Sequence, residues 1–73
     1  MSQWDNENYC LKRVKQNGYN LVYVNSELQT PEICLEAVKQ YGFALEFVHV
    51  QTPEIIEEAI KEDLRSIIFV RSK

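Results

Sequence analysis

The chain of 73 residues has few of the residues that punctuate or cross-link small proteins: two Gly, two Pro, two Cys, one His, one Met and one Trp. So little Gly and Pro argues against a linker or a disordered tail. Two cysteines are too few for the disulfide framework that staples small secreted domains. A single histidine, His49, gives no pair of imidazoles for a metal, and no Cys or Ser stands at a motif spacing from it. Basic charge is also scarce. The net charge of −3 runs against nucleic-acid binding, which needs clustered Lys and Arg to displace counterions from phosphates. No apolar run approaches the roughly 18–20 residues that span a bilayer, and the opening Met1-Ser2-Gln3-Trp4-Asp5 lacks the basic-then-apolar order of a signal peptide. The chain is therefore expected to be cytoplasmic, off the membrane, without cofactor or metal, and not to bind nucleic acid directly.

What is present is the composition of an ordered globular chain, 45% hydrophobic and 26% charged. At this length folding removes only about 60% of the unfolded surface from water, so one domain over residues 1–73 with a small core is expected. Residues 30–42, Thr-Pro-Glu-Ile-Cys-Leu-Glu-Ala-Val-Lys-Gln-Tyr-Gly, read as a complete helix. Thr30 is an N-cap, Pro31 suits the first helical position, and Gly42 is placed to end the helix in the left-handed conformation.

That stretch recurs. Residues 6–18 and 52–64 fall into register with it, which divides the chain into units of about 6–29, 30–51 and 52–73. Asn6, Thr30 and Thr52 share the cap position. Tyr9, Ile33 and Ile55 share one apolar position; Cys10, Cys34 and Ile56 share the next; Val14, Val38 and Ile60 follow one turn later. On the opposite face Glu57 and Lys61 stand in the favourable order for an i,i+4 pair. After each helix comes a short apolar segment, at 20–24, 44–48 and 66–70. Its length fits either a short helix or a strand, and the β-branched residues of the first and third favour strand. Trp4 precedes the pattern and could fold back on an apolar face.

Residues 36–48, Glu-Ala-Val-Lys-Gln-Tyr-Gly-Phe-Ala-Leu-Glu-Phe-Val, together with Lys15-Gln16-Asn17-Gly18-Tyr19 upstream, resemble the domain-of-unknown-function 4116 repeats, whose tandem units read Thr-Pro-Glu-Ile-Cys-Leu-Glu-Ala-Val-Lys-Gln-Asn-Gly in bacterial and viral proteins. The resemblance covers residues 6 to about 50. In the third unit Asp63 and Leu64 replace the Asn-Gly or Tyr-Gly pair. The resemblance implies tandem, largely helical units of unassigned activity and supplies no catalytic residues. The fold class expected is all-α, three short helix-turn-helix-like repeats stacked as a small α-solenoid or bundle. The alternative is a small α/β fold with a short strand after each helix.

The candidates for chemistry reduce to structure. A position that holds Cys10, Cys34 and Ile56 is a core position, where free Cys acts as a small hydrophobe. Glu54, Glu57, Glu58, Glu62 and Asp63 spread around a helix surface and lack calcium-loop spacing. Tyr23, Phe47 and Phe69 share one position and are expected to be structural. Tyr41 differs: its counterparts are Asn17 and Asp63, which makes it an interface candidate. Glu46, His49, Leu64 and Arg65 depart from their positions in the same way. No catalytic residue is identified and an enzyme is not expected. The leading functional expectation is a protein-protein interaction module that binds another protein or itself as a homodimer. The alternative is a small acidic inhibitor that occupies a basic, nucleic-acid-binding surface of a partner. Its motive is the net −3 of residues 25–48, where Glu27, Glu32, Glu36 and Glu46 oppose Lys39.

Overall fold

The computed structural model describes residues 6–71, so the expectation for Trp4 lies outside the described residues. The chain is all-α. Three ten-residue α-helices, α1 (Glu7–Gln16), α2 (Pro31–Gln40) and α3 (Pro53–Glu62), are each followed by a six-residue 3-10 helix, at Gly18–Tyr23, Gly42–Phe47 and Leu64–Phe69. A shorter 3-10 turn, Ser26–Leu28, leads toward α2. No described residue lies in a strand, so the α/β alternative does not hold.

The helix starts follow from local chemistry. Asn6 Oδ1 accepts from the N–H groups of Asn8 and Tyr9, Thr30 Oγ1 from Ile33, and Thr52 Oγ1 from Ile55. Each hydroxyl or amide oxygen thereby satisfies a donor that has no partner inside the helix. Pro31 and Pro53 occupy the first helical position, where a missing N–H costs nothing.

The helix ends differ from expectation. No described glycine has a positive φ, so Gly42 does not end α2 in the left-handed conformation. Each α-helix instead stops at an extended residue, Asn17, Tyr41 or Asp63, whose N–H still bonds to Arg13, Ala37 or Ala59. The chain then turns directly into the 3-10 helix. Asn17 and Asp63 cap that second start by accepting from the N–H groups of Tyr19 and Arg65.

Six residues is long for a 3-10 helix, which seldom exceeds three or four. The sequence supplies the reason. With three residues per turn, positions i, i+3 and i+6 lie on one side, and these are Gly18, Leu21 and Val24, then Gly42, Leu45 and Val48, all buried. A threefold apolar spacing suits the 3-10 geometry better than the α-helix, whose 3.6-residue turn would rotate these residues apart. Neither a strand period of two nor an α period fits those residues.

α2 lies in the middle, packed against both α1 and α3 and against the 3-10 helices on either side. Its Ile33, Cys34, Ala37 and Val38 are all buried and join Cys10, Val14, Leu21, Leu45, Ile55 and Ala59 in one core. On the charged face Lys61 lies 3.9 Å from Glu58, its i−3 neighbour, and not against Glu57. Tyr23, expected to serve the core, is mostly exposed, whereas Phe47 and Phe69 are half-buried against it.

Candidate interaction surface

Gln40, near the end of α2, closes the seam to the first helix. Its Nε2 donates to the carbonyls of Val14 and Lys15 at 2.8 and 3.1 Å, and its Oε1 accepts from the Gly18 N–H at 3.0 Å. One side chain thus satisfies two C-terminal carbonyls of α1 and the first donor of the next helix. Two further glutamines join successive 3-10 helices. Gln29 donates to Phe47 O and accepts from the His49 N–H, at 2.9 and 2.8 Å; Gln51 does the same with Phe69 O and the Arg71 N–H, at 3.0 and 2.9 Å. Each amide behaves as one residue of a paired backbone. Sequence reasoning passed over these glutamines, although their signal was there: Gln29 and Gln51 both immediately precede Thr-Pro.

At the second seam the Gln40 position holds Glu62. A carboxylate cannot donate to the Val38 and Lys39 carbonyls, and it puts negative charge at a helix C-terminus. Glu62→Gln is therefore expected to raise stability by about 1 kcal/mol, read as a shift in the urea midpoint at constant slope; a fall in the midpoint would refute the donor argument.

The glycines belong to the same seams. An ideal Cβ on Gly18 would lie 2.7 Å from Ala37 O, and one on Gly42 only 2.5 Å from both Ala59 O and Ser66 Oγ. They are glycines because the backbone of the next helix touches them, not because of their φ.

The interface candidates from the sequence separate into three places. Tyr41 and Arg65 line one groove together with Tyr19, Phe43, Glu62 and Asp63. There the Tyr19 and Tyr41 rings stack at 4.4 Å between centroids, and the Arg65 guanidinium lies 5.2 Å from the Phe43 ring centroid. Asp63 holds Arg65 in place by accepting from Nε at 3.1 Å and Nη2 at 2.9 Å. Those bonds, with the Arg65 backbone N–H, keep the Asp63 carboxyl below the usual range, and Asp63 in turn raises the Arg65 pKa. Glu46 and His49 line a different groove with Gln29 and Arg71. Arg71 Nη2 donates to the carbonyls of Val48 and His49. Leu64 is apart from both, with 77% of its surface exposed.

The two thiols are buried and unlinked. Burial pushes the Cys34 pKa up to about 11, because desolvation disfavours thiolate. The neutral thiol is thus retained in the folded chain above the pH where the unfolded chain ionises. Stability is expected to be unaffected below about pH 8.5 and to fall as pH rises toward 11. Native labelling of both cysteines at neutral pH is expected to be slow compared with labelling in denaturant; rapid native labelling would contradict burial.

Among the described residues no group of His, Cys, Asp and Glu is placed to hold a metal, and no helix is long and apolar enough to cross a membrane. No curated protein and no solved structure matches the chain. The sequence model of one family, described as Domain of unknown function (DUF4116), matches residues 6–51. That span includes the α1–α2 seam, both seam glycines and Gln29, Gln40 and Gln51. The chain belongs to the DUF4116 family.

Proposed function

We propose that the protein is a non-enzymatic protein-protein interaction module built from three tandem units, each an α-helix with its 3-10 helix. The observation that carries this reading is the groove around Tyr19, Tyr41, Phe43 and Arg65. It sets two stacked phenol rings beside an arginine that is already oriented by Asp63 and lies over a phenyl ring. Tyrosine and arginine are enriched at interface hot spots because they bring large contact area and directed hydrogen bonds, at a cost in side-chain freedom that is smaller where the side chain is already held. The stacking restricts Tyr41 and the ion pair restricts Arg65 before any partner arrives. Both residues are among the five that depart from their sister positions in the other units, with Glu46, His49 and Leu64.

The test is affinity capture from native cells with the full chain, compared with the double variant Tyr41→Ser and Arg65→Ser. Both side chains are exposed, so the fold is expected to survive. A partner retained by the wild type and lost by the variant supports the reading, and an identical set of partners from both proteins would remove it.

A further inference from the structure

Asn17 and Gly18 form the one Asn-Gly dipeptide of the chain, and two separate demands place it there. The 3-10 helix that starts at Gly18 needs a side-chain acceptor just before it, which Asn17 supplies by accepting from the Tyr19 N–H at 3.0 Å. The first seam needs a residue without a side chain at Gly18, because a Cβ there would lie 2.7 Å from Ala37 O. The other units do not join the two demands in this pair: the second has Tyr41-Gly42 and the third Asp63-Leu64.

The pair is chemically labile. A backbone nitrogen that follows asparagine can attack the side-chain amide carbon, and a following glycine has no side chain to obstruct the approach. Here the Gly18 nitrogen would lose its proton and bond to Asn17 Cγ, the side-chain nitrogen would leave as ammonia, and a cyclic imide would remain. Water then opens the imide at one of its two carbonyls. One opening leaves aspartate in the ordinary chain. The other leaves isoaspartate, in which the chain runs through the former side-chain carbon. Asn17 is exposed, so water reaches the imide freely.

The folded chain withholds the nucleophile. The Gly18 N–H donates to Gln40 Oε1 at 3.0 Å, a bond that retains its proton. Ring closure also requires the Gly18 nitrogen to come round beside Asn17 Cβ, whereas Asn17 has a ψ of 114°, which turns that nitrogen away. Bringing it round swings the whole peptide between the two residues. Gly18 is buried, with α2 against it at Ala37 O, so the swing cannot occur while the seam is closed.

We propose that Asn17-Gly18 is a site of spontaneous deamidation gated by the seam between α1 and α2. It reacts when Gln40 releases the Gly18 N–H and the seam opens locally, not from the closed structure. The two products differ in consequence. Aspartate keeps the cap, since Asp63 starts the third 3-10 helix through the same bond, Oδ1 accepting from the Arg65 N–H at 3.0 Å. Isoaspartate adds a carbon to the chain between the end of α1 and Gly18. The bond from the Asn17 N–H to Arg13 O and the fit of Gly18 against α2 then cannot both be kept, and the seam stays open.

The test incubates the full-length chain at mildly alkaline pH, folded and in denaturing guanidinium. The tryptic peptide of residues 16–39 is followed by mass spectrometry with fragmentation that separates aspartate from isoaspartate. Conversion at Asn17 is expected to be at least about tenfold slower in the folded chain. Gln40→Ala is expected to speed the folded-state reaction several-fold. Ile55→Val, which weakens the other seam without touching the Gly18 N–H, is expected to leave it nearly unchanged. Equal rates in the folded and unfolded chain would overturn the proposal, as would a Gln40→Ala variant no faster than wild type. Equal acceleration by Gln40→Ala and Ile55→Val would also overturn it, because whole-molecule unfolding would then set the rate. Should Gln40→Ala not fold, hydrogen exchange at the wild-type Gly18 N–H takes its place. Exchange and deamidation are expected to rise together as guanidinium is raised below the unfolding midpoint, and deamidation that stayed flat while exchange rose would refute the gate. Asn17→Asp is expected to unfold at the wild-type midpoint and the isolated isoaspartate form at a lower one; an unchanged midpoint for that form would refute its effect on the seam.

Discussion

Val38→Asp is expected to unfold the protein. Val38 is fully buried in the central helix, between the first and third units and among Cys10, Leu21, Leu45 and Ala37. An aspartate there loses the apolar contacts and must either bury an unpaired carboxylate or take up a proton, at a cost of about 4 kcal/mol or more. A chain of this length has about 4–11 kcal/mol in total. The outer helices depend on the middle one: α1 loses the cover over Cys10 and Val14, together with the Gln40 bonds to its last carbonyls. Circular dichroism is expected to show loss of most helical signal. If α1 and α3 kept theirs, the seams would not be what holds the helices.

Gly42→Ala is expected to be the most damaging single-methyl change, at about 2–3 kcal/mol. The added Cβ would sit 2.5 Å from Ala59 O, a backbone atom fixed by the α3 ladder and by its bond from the Asp63 N–H, and 2.5 Å from the buried Ser66 Oγ. Ala59 O cannot rotate away as a flexible side chain would, so α3 has to move off and open the second seam. Gly18→Ala, with 2.7 Å to Ala37 O, is expected to follow closely. Leu64→Ala at the corresponding uncovered position is expected to change stability by no more than about 0.5 kcal/mol. Urea denaturation of the three variants measures the contrast. Since φ at both glycines is compatible with alanine, a neutral Gly42→Ala would falsify the close-approach argument, whereas a general glycine preference would penalise neither site.

Much of this architecture was legible in the residues. Asn6, Thr30 and Thr52 marked the helix starts, and Pro31 and Pro53 fixed the next position, because capping is chemistry between residues two or three apart. The register of residues 6–18 against 30–42 was legible too, and it placed Cys10 and Cys34 in the core. The short segments were harder. Five apolar residues read as either helix or strand until the spacing Gly18, Leu21, Val24 and Gly42, Leu45, Val48 is set against what covers it, and a covering helix is a tertiary fact.

The same division runs through the seams. The presence of Gly18 and Gly42 one residue after each helix is written in the chain, but the expectation of a left-handed helix end for Gly42 took a local cause for a remote one. The neighbour that forbids a side chain, the Ala59 carbonyl, lies 17 positions further on. Gln40 looks like an ordinary surface residue until its amide is found on the Val14 and Lys15 carbonyls. By itself, then, the sequence determined where each of the three α-helices begins and which side of it is apolar, because those properties depend on residues within one or two turns. Only the tertiary structure decided why the glycines are glycines and which glutamines hold successive helices together, because each of those depends on what the next helix brings within a few ångströms.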